Sequence, residues 1–261
     1  MGKPVRGRLT VSFQSGISFD CIAGSIIDWM SPATEAVFFD VDFTLIYPGP
    51  TFQGEGYQRF CVRYGIEVDP VRFPEAVLGA SMILNDEQDH IYDPAIFVRY
   101  TRRIIEGMGG AGAQLDACAN EIYEEWAACQ HFILYDDVTP VLKELAARGI
   151  KVGLISNSHR CLASFQQHFE LHGLIAAALS SSEHGYLKPH PSIFKSALEL
   201  LGVSAAESVM VGDSLAHDIE GARRVGMRGI LVQRSPGRST ATPPDVPVIS
   251  SLSELTAQLA V

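Results

Sequence analysis

From residue 138 to residue 232, short apolar runs alternate with amphipathic stretches, and this alternation restricts the fold more than any other feature of the chain. Residues 138–147 carry apolar side chains at helical spacing and stop before Gly149, a helix C-terminal signal. Apolar runs at 150–155, 175–179, 209–211 and 229–232 read as strands. The segments at 160–169, 192–201 and 215–225 read as helices, the last two ending at Gly202 and Gly226. Upstream, 36–39 is apolar throughout, as a strand buried on both faces must be. Strands separated by helices of this length imply βαβ crossovers, and so an α/β fold with a doubly wound parallel sheet. A last short strand and helix are expected over 247–259, after a Pro/Ser/Thr-rich loop at 235–245.

Residues 48–136 have a different character. Pro48, Gly49, Pro50 and Gly54 open a turn-rich stretch, and helices are expected at 56–64, 94–108 and 115–131, with Gly109-Gly110 as a break. The expected organisation is a core domain made of 31–47 and 137–261 with a helical cap domain, 48–136, inserted into it. Residues 1–30 show weak periodicity and are expected to be a dispensable, disorder-prone N-terminal extension. With 47% hydrophobic and 19% charged residues, the rest of the chain can fill a real core.

The stretch from Cys21 to Met30 is interrupted by Ser25 and Asp28, which makes a poor signal-peptide core. No apolar run approaches the roughly 20 residues of a membrane span. A cytoplasmic location with no membrane partner is therefore expected. Five scattered cysteines without a C-x-x-C pair suit free thiols in a reducing compartment. A formal charge of −10 argues against a nucleic-acid partner, which needs a basic face, but leaves room for a small phosphorylated molecule.

In open α/β sheets, ligands sit beyond the carboxyl ends of the strands. There this chain places Asp40-Val41-Asp42-Phe43-Thr44, Ser156-Asn157-Ser158, Lys188-Pro189, and Gly212-Asp213-Ser214 with Asp218 beyond. Carboxylates converging from separate strands repel one another and stay ionised near neutral pH only around a cation. An all-oxygen ligand set selects a hard ion such as Mg²⁺. A single Asp-x-Asp can be a solvated loop or a helix cap; four such segments in this order, each at a strand exit, argue for one site.

These segments resemble the four motifs of the haloacid dehalogenase superfamily. Phe38-Phe39-Asp40-Val41-Asp42-Phe43-Thr44-Leu45 is similar to the first, Ile155-Ser156-Asn157 to the second, Gly185-Tyr186-Leu187-Lys188-Pro189-His190-Pro191 to the third, and Val211-Gly212-Asp213-Ser214-Leu215-Ala216-His217-Asp218 to the fourth. The likeness runs from about residue 35 to 232, and the helical insert resembles the cap of the phosphoglycolate-phosphatase and 2-haloacid-dehalogenase branch. It implies a Mg²⁺-dependent phosphatase acting on a small phosphorylated metabolite through an aspartyl-phosphate. Asp40 is then the nucleophile and Asp42 the general acid and base. The metal ligands are Asp40, the Asp42 main-chain carbonyl and Asp213. Ser156, Asn157, Thr44 and Lys188 face the phosphoryl group, with Thr44 open to an alternative role in supporting the turn. Asp218 orients Lys188 or a metal-bound water. A straight strand would point Asp40 and Asp42 the same way, so a non-strand turn must follow Asp40. His217 stands where many relatives carry Asn and is read as a surface helix residue.

Other readings stay open. Dehalogenases of the same branch need no metal and no second acid, so Asp42 would be idle there. Phosphomutases of the fold keep that acid, but their histidine soon after the first motif is missing from residues 41–56. A phosphoacceptor signalling domain would carry its aspartate on a later strand and no cap. In the cap, Arg99 and Arg103 share a helix face; pairing with nearby acids is favoured over contact with an anionic leaving group. Tyr123 and Trp126 are expected in the cap core, Tyr47 near the substrate. The assembly is expected to be a monomer or homodimer.

Overall fold

The strand Ala36–Phe39 (β1) has all four side chains buried and lies at the middle of the sheet. The computed structural model describes residues 33–85, 89–234 and 242–259; the expected extension at 1–30 and most of the loop at 235–245 lie outside these residues. After β1 the chain forms β2 (Ile46–Pro48) and five helices: α1 (Gly54–Arg63), α2 (Phe73–Ala80), α3 (Met82–Asn85), α4 (Pro94–Gly107) and α5 (Leu115–Glu125). It returns through β3 (Phe132–Leu134). Then follow α6 (Val138–Ala147), β4 (Lys151–Ser156), α7 (Leu162–His168), β5 (Ala177–Ser180), α8 (Ser181–His184) and α9 (Pro191–Leu201). The chain closes with β6 (Ser208–Gly212), α10 (Glu220–Arg224), β7 (Arg228–Val232), β8 (Val248–Ile249) and a 3-10 turn at Leu252–Ala257.

Six strands form one parallel sheet in the order β5-β4-β1-β6-β7-β8. The chain winds outward from β1 in both directions, as a doubly wound sheet does. Phe39 is in register with Leu154 of β4 and Val211 of β6, so the residues that follow β1, β4 and β6 emerge side by side at one edge.

Alternation along β1 sends its side chains to opposite layers. Val37 and Phe39 cluster with Leu142 and Leu145 of α6 and with Leu252 and Leu255; Ala36 and Phe38 cluster with Ile193, Phe194 and Leu198 of α9. Gly153 is required on β4, because a Cβ there would lie 2.4 Å from Cδ1 of Phe38.

The helices between β2 and β3 are joined to the rest of the chain through a two-stranded antiparallel ribbon pairing Ile46, Tyr47 and Pro48 with Leu134, Ile133 and Phe132. This ribbon straddles both ends of the expected 48–136 insert. It also ends the expected helix at 115–131 early: α5 stops at Glu125, Cys129–His131 turns as 3-10, and β3 begins. A three-residue strand of this kind forms only because its partner is brought alongside, and local periodicity does not report it. The expected helix at 160–169 starts two residues late, at Leu162, because the side chain of Arg160 is turned into the interior. The helix expected at 215–225 opens with a wide π turn, Leu215–Ile219, in which the N–H groups of Asp218 and Ile219 both donate to the Ser214 carbonyl (3.0 and 3.3 Å). Among the described residues no helix is long and apolar enough to cross a membrane.

Candidate active site

Asp40 leaves β1 still in the sheet, its N–H donating to the Val211 carbonyl at 2.9 Å. The chain then turns sharply: Phe43 takes a left-handed φ of 65°, its N–H donates to the Ile46 carbonyl (2.6 Å), and Leu45 N–H donates to the Val41 carbonyl (2.9 Å). A positive φ is costly for a non-glycine residue, and here the two flanking bonds hold it. This is the turn that alternation along a straight strand could not supply.

Lys188 reaches this point from the loop before α9. Its ammonium is 3% exposed as a residue and donates to Asp40 Oδ1 (2.6 Å) and the Ile155 carbonyl (2.7 Å), with Asp218 Oδ1 2.7 Å away. Burial alone would push this lysine down, but the carboxylates of Asp218 and Asp40 outweigh it and hold it above its ordinary range. Asn157 fixes the lysine's main chain: its Oδ1 accepts from Lys188 N–H (2.7 Å) and its Nδ2 donates to the Lys188 carbonyl (3.0 Å). The Asn157 side chain, expected against phosphate, is therefore spent on the loop that carries the lysine. Ser156 is fully buried and shares a 2.9 Å hydrogen bond with Ser158 Oγ. The buried Thr44 hydroxyl has no hydrogen-bond partner.

Asp40, Asp213 and Asp218 each bring a carboxylate oxygen within 4.8 Å of the others. Asp218 is held from behind, its Oδ2 accepting from Ser214 N–H at 3.0 Å. Gly212 permits this approach, since a Cβ there would lie 2.2 Å from the same oxygen. One lysine cannot balance three carboxylates, and burial, opposed by Lys188 and reinforced by Asp218 and Asp42, pushes the Asp40 carboxyl up to about 7. An excess of buried negative charge with only oxygen donors fits a hard divalent cation.

Asp42 directs its carboxylate elsewhere. Arg160, 1% exposed, donates from Nη1 to both Asp42 oxygens (3.0 Å each) and from Nη2 to the Trp126 carbonyl (2.8 Å), with its guanidinium 4.4 Å from the Phe132 ring centroid. Sequence reasoning missed this residue. Its one signal was a position directly after Ser156-Asn157-Ser158-His159, among the groups already assigned to the strand exit. Replacing it with alanine strands a mostly buried carboxylate and a carbonyl. Arg160→Ala is expected to cost about 3 kcal/mol of stability in urea unfolding, with Arg160→Lys intermediate because one ammonium cannot span both acceptors.

His217 is a correction to the expected surface position: it is half-buried, burial lowers its pKa, and Lys188, Asp218 and His90 are its charged or titratable neighbours. Beside Asp42, a cavity of about 180 Å³ opens between the core loop and α1, α4 and α5. Tyr123 and Trp126, expected as cap core, form part of its wall. Arg99 and Arg103 do not line it, and Arg103 lies 3.7 Å from Glu106 on an exposed face. Tyr47 lines a larger, shallow groove on the outer side of the ribbon, together with Gln53 and Val71. That groove contains none of the acidic residues above, whereas Asp42 lines the smaller cavity.

The sequence pattern of haloacid dehalogenase-like hydrolases matches residues 34–226. The chain is 29% identical over 235 residues, 85% of its length and 95% of the relative's, to haloacid dehalogenase-like hydrolase domain-containing protein 3 of Danio rerio. It is 32% identical over 242 residues, covering 86% of the chain and 93% of the relative, to N-acylneuraminate-9-phosphatase of Mus musculus. In fold alone it is similar to the HAD-hydrolase YfnB from Bacillus subtilis bound to magnesium, with a TM-score of 0.65 at 16% identity over 88% of this chain and 100% of that one.

Proposed function

The chain belongs to the haloacid dehalogenase-like hydrolase family, and from that premise we propose that it is a Mg²⁺-dependent phosphatase that hydrolyses small phosphorylated metabolites through a phosphoryl group carried on Asp40. The observation that carries this reading is the Asp40–Lys188–Asp218 cluster. A buried carboxylate is paired at 2.6 Å with a lysine that a second buried carboxylate holds in place. Relatives named as phosphatases support the reaction class.

In the first step Asp40 Oδ attacks phosphorus, the P–O bond to the alcohol breaks, and Asp42 gives its proton to the departing oxygen. In the second, Asp42 takes a proton from water, the resulting hydroxide attacks phosphorus, and the bond to Asp40 breaks to release inorganic phosphate. While it carries the proton, Asp42 must give up one of its two bonds to Arg160. Lys188 offsets charge on Asp40 and on the phosphoryl oxygens throughout, a preorganised electrostatic role. Ser156, the main chain of Asn157 and the unpartnered Thr44 hydroxyl surround the phosphoryl group, and Asp218 keeps Lys188 in place. A Mg²⁺ ion held by Asp40, Asp213 and the Asp42 main-chain carbonyl would supply neutralisation of a phosphoryl oxygen. The inserted helices, residues 48–136, act as a cap that excludes bulk water from the phosphorylated aspartate.

Phosphate release from p-nitrophenyl phosphate is expected to require Mg²⁺, to stop with EDTA and to return on re-addition. Mg²⁺ is also expected to raise the thermal midpoint of the metal-free protein, since binding to the folded state alone stabilises it. Metal-independent turnover of a haloacid, with no phosphate release, would place the chain among the dehalogenases instead.

A further inference from the structure

The cavity beside Asp42 has an unusual wall for a site that handles phosphate. Tyr57, Phe97, Tyr100, Tyr123 and Trp126 all line it, and Asp42 is the only charged side chain lining it among the described residues. Two of its tyrosine hydroxyls are already engaged: Tyr123 Oη is 2.6 Å from Oη of Tyr92, behind the wall, and Tyr57 is hydrogen-bonded to Thr101. What they present inward is therefore ring surface. His159 adds another flat face, stacked on Tyr123 with centroids 4.0 Å apart and 27° between planes.

Among the described residues no Lys or Arg lines the cavity to answer a charge on the leaving alcohol, and His159, whose buried Nε2 has no hydrogen-bond partner, is pushed by burial toward its neutral form. Arg160, close by, has both terminal nitrogens engaged with Asp42 and the Trp126 carbonyl. The arginines of α4 point away because Phe97, Tyr100 and Thr101, spaced i, i+3 and i+4, occupy the inward face. Arg102 is paired with Glu106 (3.0 Å) and Asp116 (2.5 Å). A carboxylate or second phosphate placed here would be buried against aromatic rings and beside Asp42, with no Lys or Arg of the described lining to pair with it, which is strongly unfavourable. Flat apolar groups gain both burial and offset stacking. The volume, about 180 Å³, is comparable to that of an apolar cavity of about 150 Å³ known to hold benzene, which is room for one ring with small substituents.

Resting on the phosphatase reading above, we propose that the substrate is a phosphate monoester of a single-ring alcohol that carries no second anionic group, and that this aromatic cavity discriminates against esters whose alcohol carries one. The cap selects by stacking and by the absence of a counter-charge.

The test compares three esters of primary alcohols on the Mg²⁺-loaded full chain: benzyl phosphate, phosphoglycolate and phosphocholine. The expected kcat/KM for benzyl phosphate exceeds that for phosphoglycolate by about tenfold or more, with phosphocholine below benzyl phosphate. Phe97→Arg, which brings a cation to the wall, is expected to shift the ratio of benzyl phosphate to phosphoglycolate by about tenfold toward phosphoglycolate; a ratio cancels any loss of folded enzyme. Equal or better turnover of phosphoglycolate or phosphocholine by the unaltered chain would overturn the proposal. Acetyl phosphate, whose small acyl group does not fill the cavity, separates the two readings. If it is hydrolysed while the ester order is reversed, only the substrate class fails. If neither it nor any of the three esters is hydrolysed, the phosphatase reading fails too.

Discussion

Asp40→Asn is expected to lower kcat/KM for phosphate esters by about 10⁴-fold or more, with the fold intact. The substitution keeps the shape of the side chain and removes the oxygen anion that forms the bond to phosphorus. Lys188 keeps Asp218 and the Ile155 carbonyl as partners at 2.7 Å each, so the loop before α9 has no reason to move. Stability separates this variant from a folding defect. In the metal-free protein, burial raises the Asp40 carboxyl from 3.8 to about 7. Between those values the folded state binds more protons than the unfolded one, so Asp40 makes stability fall as pH rises through that window. The Asn variant lacks that fall. Above the window, its urea midpoint without metal is expected to equal or exceed that of the unaltered chain, while turnover is lost.

Lys188→Met is expected to be damaging in both respects. Removing one preorganised donor aimed at developing charge costs about 10²- to 10³-fold in kcat. The lysine also sits between two buried carboxylates, and taking away the shared cation leaves both uncompensated, at about 3–5 kcal/mol of stability. The stability loss is expected to be largest at neutral and higher pH and to shrink as the carboxyls are protonated on acidification. Lys188→Arg should not rescue turnover, because a planar fork cannot converge on three acceptors arranged around one ammonium. Urea unfolding at several pH values, together with phosphate release, checks both halves.

Both substituted residues were legible in the sequence; several of the contacts around them were not. The sheet was readable because β1, β4, β6 and β7 are short runs buried on both faces, and such runs carry their own pattern. Asp40, Lys188, Asp213 and Asp218 could be gathered into one site because strand order brings the exits of β1, β4 and β6 together. Other contacts depend on the inserted helices packing beside the strand-exit loops. Asp42 and Arg160 are separated by 118 residues, and nothing local in either segment announces their pairing. Trp126 was legible as helix-spaced apolar surface, but not as the carbonyl that anchors Arg160. The ribbon of β2 and β3 has three residues on each side, too short for alternation to show. On a regular helix His217 would be an exposed position; the π turn at Leu215–Ile219 places it half-buried, with Lys188 and Asp218 among its neighbours. Arg99 and Arg103 were visible as a charged face, and the rings on the opposite face, which line the cavity, were the more informative half of the same helix.

Everything proposed for the reaction passes through a covalent bond between phosphorus and the side chain of residue 40. Treating the Mg²⁺-loaded chain with acetyl phosphate, quenching in acid and mapping the peptides by mass tests that bond directly. The expected result is one added phosphoryl group on the peptide that contains Asp40, absent from Asp40→Asn. A phosphoryl group carried by any other residue, or Asp40→Asn turning over esters at the unaltered rate, contradicts it.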